Sequence, residues 1–182
     1  MIFLLLGTIN LKEGDKYMAV ERLRRTEYAL KFAHERLIRA FSVPNDENKM
    51  YATLGETLLW VVAINDWHME FNKGDYSHRQ KQDTRGNLLF GLRHAYNMVK
   101  HNMNFIELHK TEAVPQFTFP VFEPPVTLCL IKVLWKDIRN ISCERRYENQ
   151  KQNYIEYLQG KEVLETINQA IDFLLEENEK YE

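Results

Sequence analysis

Arg93, Asn97 and His101 are spaced four residues apart. On an α-helix that spacing puts a guanidinium, an amide and an imidazole on one side. Metal-independent cleavage of RNA needs a group that deprotonates or orients a 2'-hydroxyl, and donors that stabilise charge on the transferring phosphate. Histidine titrates near neutrality, and arginine offers a planar donor fork for phosphate. The same three residues also suit a structural polar network, in which Arg93 pairs with Asp66 or Glu56 and Asp66 or Glu56 thereby avoids lone burial. If Arg93 neutralises a buried acid, its loss is expected to cost about 3–5 kcal/mol.

The polar file needs a helix to carry it, and Leu92, Ala95 and Val99 supply the adjoining apolar seam. That helix is expected from about Gln82 to Leu108, with Gly86 and Gly91 inside it. A helical glycine costs about 1 kcal/mol relative to alanine, so close approach of a neighbouring helix is the expected reason for both. Two longer helices precede it. The first runs from Asp15 or Lys16 to Phe41, with Leu23, Leu30 and Leu37 in one line and Arg22, Arg24, Arg25, Lys31, Arg36 and Arg39 on its other sides. Pro44 breaks the chain, Asn45 or Asp46 caps, and a second helix spans Glu47 to Phe71. Asn72 to Ser77 is expected to be loop, with Gly74 supplying the turn.

After the polar helix the character changes. Residues 112–135 hold four prolines and the alternation Gln116-Phe117-Thr118-Phe119, which disfavours a long helix. Val126–Trp135 is compatible with either a strand or a buried helix. A helical hairpin closes the chain: Tyr147, Tyr154, Tyr157 and Leu158 pattern one arm, Gly160 breaks it, and Val163, Leu164, Ile167, Ala170, Ile171, Leu174 and Leu175 pattern the other. The polar tail from Glu176 is expected to fray. The expected fold is mainly α, a bundle of about five helices with a short β or extended Pro-rich insertion after the third. All of it forms one domain across residues 1–182.

Other residues compete for a functional role. Glu56 and Asp66 fall in one broad sector of the apolar second helix and are expected to face a shared neighbour. Tyr147, Tyr154 and Tyr157 interleave with Arg145, Arg146 and Lys151, a pattern that suits base stacking with charge, or a protein interface. The six histidines form no H-E-x-x-H and no paired carboxylate–histidine repeat, although His94 and His101 share a helix face seven residues apart. No metal is expected. No cofactor is expected either, since phosphate loop, nucleophile elbow and dinucleotide fingerprint are all absent from the sequence.

A formal net charge of -2 and 27% charged residues argue against a general duplex-binding surface, which normally carries a basic excess. RNA at a small local site remains open. Cys129 and Cys143 are the only cysteines, which fits a reducing, cytoplasmic setting. The apolar opening Met1–Leu6 is short for a secretory segment, and no stretch has membrane-spanning length. A homodimer is expected, with protein a more fitting partner than nucleic acid and no membrane involved.

The helical layout with its R…N…H helix resembles the HEPN superfamily, whose ribonucleases use an R-x(4–6)-H motif at a dimer cleft. More narrowly, Glu56–Trp60 with Asn65 and Asp66, the segment Leu92–His101, and the closing Tyr157–Ile167 resemble a group of small helical proteins from bacteria and their phages. That second resemblance brings no established activity. In the HEPN pattern an arginine directly precedes the asparagine, whereas this chain has Tyr96 there, and seven residues separate Arg93 from His101. The resemblance therefore carries over Asn97 and His101 and implies a degenerate motif.

Three functions follow as expectations, in this order. The first is a non-catalytic protein-interaction or modulator protein of phage or mobile-element type, acting in host defence. The second is a HEPN-like ribonuclease or RNA-binding protein using Arg93, Asn97 and His101. The third is a ligand- or metal-binding sensor, which needs a cavity beside the polar helix.

Overall fold

The computed structural model describes residues 13–42, 46–101, 106–113, 128–141 and 148–181. Six α-helices and one small sheet make up these residues, in the order α1 (Glu13–Ser42), α2 (Glu47–Phe71), α3 (Lys73–Gln82), α4 (Thr84–Lys100), β1 (Ile106–Ala113), β2 (Leu128–Trp135), α5 (Glu148–Tyr157) and α6 (Val163–Asn178). Short 3-10 turns follow β2 and α6.

The two long helices form where the apolar period lies. α1 buries Leu23, Leu30, Ala33 and Leu37 along one stripe against α2. α2 is capped by Asp46, whose carboxylate accepts from the Lys49 amide at 3.0 Å. Its Leu54, Leu58, Val61 and Ile64 are completely buried, as a central helix requires. The indole of Trp67 ties the pair together by donating to the Ala19 carbonyl at 2.9 Å. Around α2 the remaining helices close one core, with α4 packed on α2, α5 and α6.

The segment after α2 is helical, not loop. α3 starts at Lys73 immediately beyond an elbow at Asn72, whose N–H returns to the His68 carbonyl at 2.9 Å. Gly74 sits within this helix and supplies no turn; Gly160 is the positive-φ glycine among the described residues. A second elbow at Asp83 separates α3 from α4, which begins at Thr84, close to the expected start at Gln82. The Asp83 amide closes α3 on the Arg79 carbonyl at 3.0 Å, and its carboxylate caps α4 through the Arg85 amide at 2.8 Å. The insertion therefore follows the fourth helix rather than the third.

α4 stops at Lys100, well before Leu108, and Ile106–Ala113 is strand. β1 pairs antiparallel with β2, from Ile106 opposite Trp135 to Ala113 opposite Leu128. This decides the ambiguity of Val126–Trp135 for residues 128–135: a run with β-branched Ile131 and Val133 becomes strand once an edge exists to pair with. The Gln116–Phe119 alternation lies outside the described residues. β2 is anchored at its end by the α5–α6 turn, where Gly160 donates to the Trp135 carbonyl at 2.9 Å and the Trp135 amide donates to the Lys161 carbonyl at 3.0 Å. Gly160 has φ 75°, which only glycine adopts without strain. The Trp135 indole donates to Thr166 Oγ1 at 2.8 Å inside the core.

The tail does not fray as expected. Glu177 and Asn178 are each only 3% exposed, and a 3-10 turn continues to Tyr181. Acids at a helix C-terminus oppose its dipole, and here cations from α3 and α4 offset them. Arg85 bonds both Asp83 and Glu176, and Arg79 and Lys180 both bond Glu177.

Candidate functional site

The polar file of α4 exists, and its three members meet three different surroundings. Arg93 projects toward α2 and grips Asp66 with both terminal nitrogens, one contact being Nη1 to Oδ2 at 3.2 Å. Asn97 turns toward α5, donating from Nδ2 to Gln150 Oε1 at 2.7 Å. His101 is the C-cap residue and its side chain is exposed. His101 lies eight positions beyond Arg93, about 12 Å along the axis. One phosphate does not span that distance.

Of the two acids expected from sequence to pair with Arg93, Asp66 does so, but the pair is not buried: the side chains are 32% and 52% exposed. An exposed pair is worth about 0–1 kcal/mol, so the expectation of a large stability loss at Arg93 does not apply. Glu56 and Asp66 do not share a neighbour. Glu56 reaches back to α1, where Arg36 donates Nε to Oε2 at 3.1 Å and Nη2 to the other oxygen. Ten residues along α2, a helix flanked by α1 on one side and α4 on another, are enough to send the two acids apart.

The tyrosine surface is also redistributed. Tyr154 is completely buried and donates its hydroxyl to the Lys136 carbonyl at 2.8 Å, and burial raises its pKa. Packing α5 on α4 turns that position inward, so it offers no stacking face. Tyr157 is half-buried, its ring 6.4 Å from Phe90. Tyr147, Arg145 and Arg146 lie outside the described residues.

Sequence reasoning missed the polar cluster around His68, because its partners come from a segment read as loop and a tail read as frayed. Asn65 Oδ1 accepts from the Tyr76 hydroxyl at 2.8 Å and from Gln80 Nε2 at 3.0 Å. The His68 ring stacks on Tyr76 with centroids 4.7 Å apart, and its Nε2 lies 2.8 Å from Asn178 Oδ1. Asn178 in turn donates Nδ2 to the Glu27 carboxylate at 2.7 Å. A carboxylate only accepts, which fixes the amide orientation and places the imidazole proton on Nε2. The cluster joins α1, α2, α3 and α6 below the surface. It locks four helices together and offers no path for a substrate.

His94, which shares a helix face with His101 in projection, is buried to 1% and packs 5.7 Å from Tyr154. Neither of its ring nitrogens has a hydrogen-bond partner among the described residues. Burial lowers the pKa of both His68 and His94 below the ordinary imidazole value. Near pH 6.5 and below, the unfolded chain therefore takes up protons that the fold refuses. Their contribution to stability is complete above that value and is lost as pH falls toward the lowered folded values. Thermal melts from pH 7.5 to 5 are expected to show this, with a slope of up to about 1.4 kcal/mol per pH unit for each histidine. His94→Leu should flatten its share, and a melting temperature that stays level across the window would contradict the neutral-histidine assignment.

Among the described residues no group of three or more His, Cys, Asp or Glu side chains is placed to hold a metal ion, and no helix is long and apolar enough to cross a membrane. Among the described residues, hollows lie between α3 and α6, beside β2, and along α1. The last, about 320 Å³, is formed by Tyr17, Met18, Glu21, Arg22, Arg25 and Thr26 with Trp60 of α2. It belongs to a surface that sequence reading passed over. Tyr17, Met18 and Tyr28 are 65–66% exposed, Phe32 46%, and Ile38 and Leu59 40%. Their signal lay in the helical period: Tyr17, Tyr28 and Phe32 fall opposite the Leu23–Leu30–Leu37 stripe, hidden by the basic residues between them. No family model, no curated protein and no solved structure matches this chain.

Proposed function

We propose that this chain is a non-catalytic helical protein that works in the cytoplasm by binding another protein chain. The observation that carries the reading is the outer face of α1, where Tyr17, Met18, Tyr28 and Phe32 stand in solvent on a helix whose opposite side is already fully used in the core. Large apolar side chains gathered on one exposed face mark interaction surfaces, and tyrosine, phenylalanine and methionine are enriched in them. The resemblance to small phage proteins supports a modulator directed at a host.

The HEPN-like ribonuclease reading has one feature in its favour: His101 and the Arg93–Asp66 pair are open to solvent. It asks Arg93 to leave Asp66 and to act with a histidine two helical turns away, so it ranks second. The ligand-sensor reading has no specific observation behind it.

Oxidative footprinting read by mass spectrometry tests the first reading. In intact cells containing the chain, Tyr17, Met18 and Tyr28 are expected to be protected severalfold relative to the purified protein at high dilution. His78, exposed on α3, should label equally in both. Equal labelling of the α1 residues in the two settings sinks the interaction reading.

A further inference from the structure

We propose that the partner on the outer face of α1 is α1 of a second copy of this chain, packed antiparallel about a two-fold axis at the level of Leu30. This rests on the interaction reading above and supplies its occupant. The face carries Glu21, Arg25, Tyr28, Phe32, Glu35 and Arg39 at spacings of 4, 3, 4, 3 and 4 residues. That is the seam of a heptad repeat, on the side of α1 away from its buried leucines.

The order of residues along the seam selects the geometry. Antiparallel pairing about residue 30 joins positions whose numbers add to 60, so Glu21 meets Arg39, Arg25 meets Glu35, and Tyr28 meets Phe32 of the other copy. Each layer is then an opposite-charge or an aromatic pair. Parallel pairing sets Glu21 on Glu21 and Arg25 on Arg25. Sliding the antiparallel pair by one heptad sets Glu21 against Phe32 and Met18 against Glu35. The sequence is complementary to itself in one register.

Local geometry agrees with this. Tyr28 and Phe32 already form a ring pair at 4.8 Å, and the two-fold brings two such pairs together at the centre of the seam. Glu35 and Arg39 are 60% and 74% exposed and bond each other at 3.2 Å, a contact weak enough to exchange for one across the seam. The flanking cations Lys31 and Arg36 are neutralised within the chain by Glu27 and Glu56, and Arg24 by Glu21, whose second oxygen remains for Arg39. Charged layers make this a dimer that weakens with salt.

Sedimentation of the full-length protein over a range of concentrations tests the proposal with charge-swap variants at exposed positions. The wild type is expected to dimerise. Arg25→Glu alone and Glu35→Arg alone each set like charges together in two layers and should weaken the dimer at least tenfold. The double variant Arg25→Glu/Glu35→Arg restores opposite charges and should recover most of the affinity. Unchanged melting temperatures would show that the single variants fold. A wild type that stays monomeric, a dimer indifferent to the single variants, or a double variant that stays as weak as they are overturns the proposal. If footprinting in cells still shows protection while the purified chain is monomeric, the interaction reading survives with a different partner. If both fail, both are wrong.

Discussion

Arg79→Ala is expected to lower folding stability by about 3 kcal/mol, a larger loss than removal of any other single ion pair among the described residues. The reason lies with its partner. The Glu177 side chain is 4% exposed, and Arg79 fixes both its oxygens, donating from Nε at 2.9 and 3.0 Å and from Nη2 at 2.6 Å. Burial pushes the Glu177 carboxyl upward, and the bonds from Arg79 and Lys180 more than reverse that, so the group stays ionised in the fold. Removing Arg79 strands a desolvated carboxylate at the C-terminal end of α6, where the helix dipole also disfavours it. Lys180 remains but is 46% exposed, which keeps the expected cost at the low end of the buried-pair range. Glu177→Gln should cost less, because the guanidinium it releases is a third exposed and can be hydrated. Urea denaturation measures both, and a loss under about 1 kcal/mol for Arg79→Ala would mean that the clamp behaves as a surface pair.

Gly86→Ala is expected to destabilise by about 3 kcal/mol, against the usual direction of a glycine-to-alanine change in a helix. A Cβ at Gly86 would lie 2.5 Å from the Gln80 carbonyl oxygen and 2.9 Å from the Gln80 Cα. Those are backbone atoms held by the α3–α4 elbow, and they have little freedom to retreat. The substitution therefore opens the elbow and disturbs the Gln80–Asn65 bond behind it. Gly74 is the internal control. It too is helical, and a Cβ there meets nothing within 4 Å, so Gly74→Ala should stabilise by up to about 1 kcal/mol. Opposite signs in thermal or urea unfolding are the expected outcome. Equal effects would mean that helix propensity, not the close approach, governs position 86.

These two cases and the α1 seam share a cause. Each depends on how one element is presented to another, while the identity of the residue alone points elsewhere. Gly86 suggested a helix crossing; the contact is the preceding helix folding back at Asp83. Gly91 fits the expectation of a close neighbour more directly, since a Cβ there would lie 2.7 Å from Leu158 of the α5 end and 3.3 Å from the Asn153 carbonyl. Of the candidate site, the pairing of Arg93 with an acid of α2 was legible, though not the choice of Asp66 over Glu56, because a basic group on one amphipathic helix and an acid on the next have few other ways to be satisfied. Its exposure was not legible, and exposure decides whether the pair contributes to stability.

By itself the sequence determined what is local. The leucine stripe of α1, the Asp46 cap and apolar run of α2, the break at Gly160 and the periodic face of α6 all follow from a 3.6-residue repeat, capping hydrogen bonds and one left-handed turn, none of which needs a distant partner. Tertiary structure decided the rest. The short polar α3 has little intrinsic tendency to persist alone and exists because Tyr76 and Gln80 reach Asn65 and Arg79 reaches Glu177. Residues 128–135 are strand because β1 lies beside them. Glu56 and Asp66 part company because different helices flank them, and the acidic end of α6 is ordered because cations nearly a hundred residues earlier in the chain come to meet it. Periodicity is written in neighbours along the chain, whereas pairing, burial and charge compensation belong to neighbours in space.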